Sequence, residues 1–272
     1  MVNTQMSDPI ADIMAIAYEV AGISLSDNKR SMVEGRLGKR LRQLDCGLGD
    51  YVARVRKDPK ELTAMLDLLT TNHTAWRREP AHFTDLEQRV LPALKKAQGN
   101  LSRPRLRLWC AAAATGEEPW TIALSLVRAL PDIAKWDVAM LATDISTRAL
   151  EKAKAGRYDE GRIEALSAAD RALAVEQVDA GPPALYAVKP QLRALVNFAR
   201  LNLMESWPIK GPFDCIFCRN VMIYFDQATQ ERLVNRLAAL LTKGGTLYVG
   251  HSESLSAITH PLRALGPATY VA

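Results

Sequence analysis

The sequence predicts an all-helical N-terminal unit followed by an α/β domain built on a mostly parallel sheet, with a small antiparallel β-subdomain inserted in it. Three observations predict this. Residues 9–97 carry apolar positions at helical spacing and no strand pattern. From Arg105 onward, short apolar runs alternate with helical stretches, the pattern of strands joined by crossover helices. Between about 158 and 194 the alternation loosens around Gly181-Pro182-Pro183 and the β-rich ALYAVK. The Gly99–Pro104 stretch reads as the linker, giving a helical domain over 1–98 and an α/β domain over 104–272.

Taken in order, Ile10, Ile13, Met14, Ala17 and Val20 follow Pro9 at helical spacing and end before Gly22. Ser26 or Asp27 then caps a helix, DNKRSMVEGRLGKRLRQL, whose stripe is Val33, Leu37, Leu41 and Leu44. Lys29, Arg36, Lys39 and Arg40 gather on the adjoining face, either as a solvated surface or as a docking surface for an acidic helical partner. Short helices follow at 51–57 and 60–70, broken at Asp58–Pro59, and another at 80–97. Strands are expected at 105–110, 137–143, 194–200, 213–219, 245–250 and 268–271. Helices are expected near 117–130, 146–155, 227–242 and 252–258.

With 272 residues and 48% hydrophobic content, the chain can bury a sizeable core. No apolar run reaches membrane-spanning length, and MVNTQMSDPIADIM has neither a basic n-region nor an apolar h-region, so a cytoplasmic protein is expected. A monomer is expected, because no spare heptad run is present. Cys215-Ile-Phe-Cys218 has CxxC spacing, but on a strand positions three apart point to opposite faces, and no second pair matches it; no metal site is expected. The net charge of +5 points to an acidic partner without identifying one.

The stretch most suggestive of chemistry is residues 106–124, LRLWCAAAATGEEPWTIAL, which reads as strand, small-residue turn and helix. The turn, including Ala112, lets a ligand approach the backbone closely. Glu117 and Glu118 at the helix start would repel a phosphate, and they suit a ligand bearing positive charge or hydroxyl donors. S-adenosylmethionine carries both, whereas an ordinary acid-capped βα unit needs no ligand at all. No GxGxxG is present to support a dinucleotide. Asp144 ends the next strand, placed for a ribose diol or for capping the helix after it. Asn202 ends the third strand and Arg219–Asn220 the fourth, so four successive strand ends carry polar groups at the edge where open α/β sheets bind ligands.

Asn72-His-Thr74-Ala-Trp-Arg-Arg78, AAAATGEEPW, ATDIS, LNLM, FCRNVMIYF and GHSESL occur in the order and spacing of one family. Across essentially its whole length the chain resembles the chemotaxis receptor glutamate methyltransferases, the CheR family. The resemblance implies a Rossmann-like methyltransferase domain that converts S-adenosyl-L-methionine to S-adenosyl-L-homocysteine while esterifying glutamates on chemoreceptor cytoplasmic domains. It further implies that Asn72, Thr74 and Arg78 meet the methionine end of the cofactor, and that one or both of Glu117 and Glu118 touch its amino-acid or central part. Asp144 would hold the ribose and Asn202 and Leu203 the adenine, while Arg219, Asn220 and Tyr224 would line the transfer site. Arg78 can grip the acceptor carboxylate or the cofactor's own, and Tyr224 can orient the acceptor or pack beside the methyl group. His251 is expected to be a structural hydrogen-bonder, and His73 is assigned no role.

The chain departs from the family pattern at Trp76 and Arg77, where two aromatics are usual, and at Ala114 and Trp120, where serine and tyrosine are usual. Arg77 is expected to add charge near the active-site mouth. Some members grip a receptor C-terminal pentapeptide through a glycine-bearing hairpin in the insert; here QVDAGPPALYAV is short and proline-stiffened, so the tether is expected to be dispensable. A nucleic-acid acceptor is disfavoured because the basic helix carries no aromatics among its charges. A non-catalytic adaptor is disfavoured because Arg78, Asp144 and Tyr224 are all present.

Overall fold

A computed structural model describes residues 8–99 and 101–272. The expectations about a leader at residues 1–7, and the Asn100 part of the linker, lie outside the described residues.

The N-terminal helices are α1 (Pro9–Ala21), α2 (Arg30–Leu44), α3 (Leu48–Lys57) and α4 (Pro59–Leu69). Pro9 occupies the first turn of α1, where its missing N–H costs nothing, and the Asp8 carboxylate accepts from the Ile10 and Ala11 amides. Asp58 caps α4 in the same way through Lys60, and Pro59 starts it. A single 3-10 turn at Asp27–Lys29 precedes α2. Ile13, Ala17, Val33, Leu37, Tyr51, Val55, Met65 and Leu66 close a separate apolar core; Leu41 and Leu44 lie only partly buried at its edge.

The next helices are α5 (Ala81–Asp85) and α6 (Leu91–Gln98), joined by a π-turn at Leu86–Val90. Their apolar residues, with Trp76, belong to the core of the sheet and not to that of the helical bundle. The cores therefore divide between Leu69 and Trp76, well before the Gly99–Pro104 stretch that composition suggested.

The second domain begins with β1 (Arg105–Cys110), α7 (Glu117–Ala129), β2 (Asp137–Asp144) and α8 (Thr147–Ala155). The insert comprises β3 (Arg157–Asp159), α9 (Glu160–Ile163), α10 (Ala168–Ala174), β4 (Val175–Asp179), β5 (Leu185–Val188) and α11 (Pro190–Arg193), its strands forming an antiparallel sheet with β5 in the middle. The main sheet resumes with β6 (Val196–Arg200), β7 (Phe213–Phe217), α12 (Gln227–Ala238), β8 (Leu241–Tyr248), β9 (Arg263–Gly266) and β10 (Thr269–Val271). Its order is β6-β2-β1-β7-β8-β10-β9, parallel from β6 to β8 and antiparallel beyond.

Alternation along the strands sorts side chains onto two faces. Leu106, Leu108, Cys110 and Cys215 pack with α7, whereas Trp109, Ile216 and Cys218 pack with α12. Cys215 and Cys218 thus lie on opposite faces of the sheet, and burial raises the pKa of both thiols. Two local expectations fail. Residues 252–258 form turns instead of a helix, because Glu253 is drawn inward by backbone amides. The β9 edge strand is added, too short and too exposed to show an apolar pattern.

The chain winds one way from β1 to β2 and β6, then the other from β7 to β8. This reversal opens a crevice at the carboxyl ends of the strands. The helical domain roofs that edge. Ser24 N–H donates to the Tyr224 carbonyl at 2.8 Å, Asn202 Nδ2 to the Val20 carbonyl at 2.7 Å, and Thr147 Oγ1 to Asp67 Oδ2 at 2.6 Å.

Candidate active site

Between roof and sheet edge lies a cleft of about 550 Å³, a size suited to a nucleoside-bearing cofactor. Of the residues singled out from the sequence, Asn72, Thr74, Arg78, Ala112, Glu118, Asp144, Asn202, Leu203, Arg219, Asn220 and Tyr224 all line it. Glu117 does not. Its side chain is fully buried and turned outward to Arg162 and Thr115, so of the two glutamates only Glu118 faces the cleft.

The small-residue turn is fixed by its backbone. Ala111 N–H donates to the Phe217 carbonyl and Ala113 N–H to the Thr143 carbonyl, both at 2.8 Å. Ala114, at φ 46°, donates to Asp144 Oδ2 at 2.8 Å, and Ser146 N–H donates to Asp144 Oδ1 at 2.8 Å. Asp144 therefore braces the small-residue turn against β2, while capping of α8 falls to Ser146. Burial raises the Asp144 pKa, against the two amides that favour its ionised form.

Arg219 is 3% exposed and lies between two carboxylates. Its guanidinium donates to Glu118 Oε2 at 2.5 Å, Glu79 Oε2 at 3.0 Å and the Arg78 carbonyl at 2.5 Å. Instead of presenting a free charge to a ligand, it positions Glu118 and the Arg78 backbone. Burial raises the Glu118 pKa against the attraction of Arg219. Burial likewise pushes Glu79 up, but Asn220, Arg219 and the His251 amide outweigh it and hold Glu79 below its ordinary value.

Asn202 carries a structural role that the sequence did not suggest. Its amide donates to the Val20 carbonyl and to Glu205 Oε1, and its oxygen accepts from Met204 N–H, so the side chain anchors the roof while lining the cleft. Arg77 turns away from the cleft to pair with Asp170 at 3.6 Å. Trp76 and Trp120 are buried in the sheet core. His73 accepts from Arg78 through its carbonyl. The expected basic face is divided: Arg36 bonds the Leu69 carbonyl and Thr71 Oγ1, Arg40 is bidentate on Glu61, Lys29 lines the cleft, and Lys39 stays exposed.

Two residues were not assigned from the sequence. Glu79, at φ 57°, anchors Arg219, Asn220 and the His251 amide. Glu253, in GHSES, accepts from the amides of Gly250, Asn220, Met222 and Ile223, holding the segment that leads to Tyr224. Gly250 is required there, since a Cβ would come within 2.4 Å of Asn220 Nδ2. The role expected of His251 falls to its backbone, while its ring rests edge-on against His82 at 5.1 Å. Ligand atoms of Glu79, His82 and His251 come within 4.8 Å of one another. Glu79 is already committed to Arg219, however, which makes the cluster part of the arginine's anchorage. Arg77, Glu79, Ala114 and Asn220 all adopt left-handed φ around the cleft, a concentration of strain typical of functional sites.

His82 is 1% exposed; among the described residues neither ring nitrogen makes a hydrogen bond, and Nδ1 lies 3.7 Å from Glu79 Oε2. Burial, and then the Arg219 charge, push its pKa down to about 4 from 6.5, against Glu79 and Asp85. Between those values the unfolded chain binds a proton that the folded chain refuses, so stability falls as pH drops through the window. The urea midpoint should therefore decline between pH 6.5 and 4, by the equivalent of about 2–3 kcal/mol. His82→Leu should remove that part of the decline; an unchanged profile in the variant would refute it.

A doubly wound sheet whose carboxyl edge presents a small-residue turn and, one βα unit later, a buried acid is the architecture of S-adenosylmethionine-dependent methyltransferases. The chain belongs to the CheR methyltransferase family. Its residues 72–271 match the model described as "CheR methyltransferase, SAM binding domain", and residues 9–70 match "CheR methyltransferase, all-alpha domain". It is 42% identical over 258 residues to a probable chemotaxis protein methyltransferase of Rhizobium etli, covering 93% of this chain and 95% of that one. It is 41% identical over 262 residues to a chemotaxis protein methyltransferase of Klebsiella aerogenes, covering 95% and 87%. Chemotaxis protein methyltransferase 2 of Pseudomonas aeruginosa is 41% identical over 256 residues, with 93% and 89% covered.

Proposed function

We propose that the protein methylates glutamate side chains on chemoreceptor cytoplasmic domains, using S-adenosyl-L-methionine. The observation that carries this reading is Arg78. It is a half-buried guanidinium lining the cleft whose only protein partner among the described residues is the His73 carbonyl, at 3.0 Å, which leaves its remaining donors for a carboxylate. The cofactor itself fits the donor set. Glu118 and Asp144 supply the acidic side chains that its amine and ribose call for, and Ala111, Ala112 and Ala114 leave room against the backbone. When bound it supplies an electrophilic methyl group.

The chain's task is then mainly orientation. A glutamate is ionised at neutral pH, with an unperturbed pKa of about 4.3, so the acceptor has no proton to remove and the site needs no general base. Arg78 fixes the acceptor oxygen and Tyr224 flanks it, while the roof formed by α1, α2 and the Asn72–Thr74 segment limits water. We assign docking to the exposed part of α2 around Lys39, since Arg36 and Arg40 serve the bundle itself. Tethering by a receptor C-terminal peptide is proposed to be dispensable, as the β4–β5 connection is only residues 180–184.

Labelled S-adenosylmethionine and receptor cytoplasmic fragments, with and without their C-terminal tail, test the proposal. Base-labile label released as methanol, equal for both fragments and depressed at least about tenfold by Arg78→Ala, is expected. Tyr224→Phe should lower it less. Cofactor binding without transfer to any receptor would favour a non-catalytic adaptor instead.

A further inference from the structure

The inserted subdomain touches the cofactor turn through two side chains. Tyr158, on β3, donates its hydroxyl to the Thr115 carbonyl at 2.8 Å. Arg162, on α9, donates to Thr115 Oγ1 at 2.9 Å and pairs with Glu117 Oε1. Thr115 Oγ1 in turn donates to Glu117 Oε2 at 2.7 Å, closing a ring of three side chains. Gly116 lies against this brace at φ 101°, where a Cβ would meet the Tyr158 hydroxyl at 2.8 Å. The Glu117 side chain is 0% exposed, whereas that of Arg162 is 40% exposed, so a buried charge in the turn is compensated from the surface of another subdomain. The residue after Glu117 is Glu118, which faces the cleft.

We propose that Arg162 is a positioning residue for cofactor binding, and that through it the inserted subdomain sets the affinity of the cleft for S-adenosylmethionine. The physical reason is that the turn has few anchors of its own on this side. Ala111, Ala113 and Ala114 are held by β7 and β2 and the Gly116 and Glu117 backbone by the turn and α7 themselves, but the Thr115 carbonyl and the Thr115 and Glu117 side chains are held from the insert. Losing the guanidinium leaves the Glu117 carboxylate buried without a counter-charge. It must then take up a proton or move toward water, and either outcome shifts the first turn of α7 that carries Glu118.

This inference rests on reading the cleft as the S-adenosylmethionine site, and the experiment separates the two. Calorimetric binding of S-adenosyl-L-homocysteine to the full chain is compared for wild type, Arg162→Ala, Arg162→Lys, Tyr158→Phe and Glu117→Gln. Arg162→Ala should weaken binding about tenfold and raise the KM for S-adenosylmethionine by the same factor. It should leave the KM for the receptor fragment and kcat at saturating cofactor within about twofold. Arg162→Lys should recover most of the affinity, and in the Glu117→Gln background Arg162→Ala should cost less than about twofold further, because the charge it serves is gone. Should Arg162→Ala fail to fold, Arg162→Lys and Tyr158→Phe, which leave no buried charge unpaired, carry the test with smaller losses. Wild type that binds while every insert variant binds equally well would overturn the role of Arg162 alone. Wild type that does not bind would overturn the cofactor reading and this inference with it.

Discussion

Arg219→Met is expected to destabilise the fold by about 3–5 kcal/mol and to abolish cofactor binding, although the arginine's bonds are to protein. The wild-type guanidinium ties its own strand end to two other segments of the chain, Glu118 on one and the Arg78 carbonyl and Glu79 on the other. Its removal strands two carboxylates in a buried site and leaves a carbonyl without its donor. A methionine of similar length fills the space but satisfies none of the three. Glu118 already has a pKa raised by burial and would take up a proton, losing the charge proposed to meet a cationic cofactor. Urea unfolding should show a lower midpoint at unchanged slope. Combining Arg219→Met with Glu79→Gln and Glu118→Gln should restore much of the stability, since no buried charge then remains, but not the binding. A midpoint shift worth less than about 1 kcal/mol for the single variant would mean that water compensates the pair, and the account of this triad would fall.

The strands of the main sheet were legible because period-two alternation and β-branched or aromatic content survive in one dimension. The split of Cys215 and Cys218 to opposite faces followed from that period alone. The choice between Glu117 and Glu118 was not legible. Neighbours on a helix point about 100° apart, and which one meets the cleft depends on how the chain enters α7, set here by Gly116 at φ 101°. The basic stripe on α2 was visible, but Arg40 finds Glu61 and Arg36 finds the end of α4 across the bundle, and helical periodicity carries no information about such partners. The roof contact of Asn202 was hidden for a related reason: a polar residue at a strand end serves equally well to hold a neighbouring domain. In GHSES the signal was present in Glu253, a carboxylate just past a strand end where loop amides converge, yet the segment was read as helical.

Glu253 therefore gives the second large effect, one that separates fold from catalysis. Its Oε2 accepts from Gly250 at 2.6 Å and Asn220 at 2.7 Å. Its Oε1 accepts from Met222 at 2.7 Å and Ile223 at 3.3 Å. These four amides set the path of the segment from Asn220 to Tyr224, and the Tyr224 carbonyl in turn receives Ser24 N–H from the roof. Glu253→Gln keeps the volume but turns an NH2 toward amides that can only donate, so two of the four bonds become repulsive contacts. The loop must move by a fraction of an ångström or more, and misplacement on that scale costs about 100-fold where geometry carries the catalysis. Methyl transfer by Glu253→Gln should accordingly fall about 100-fold in kcat, while S-adenosyl-L-homocysteine binding, proposed to rest on Asp144 and Glu118 across the cleft, should weaken less than about fivefold. Glu253→Ala, which orphans all four amides, should in addition lower stability by several kcal/mol, on the order of 1–3 for each buried group left without a partner. Equal losses of affinity and kcat in Glu253→Gln would place the carboxylate in cofactor binding, and a wild-type rate would show that the sequence from Asn220 to Tyr224 holds its shape without it.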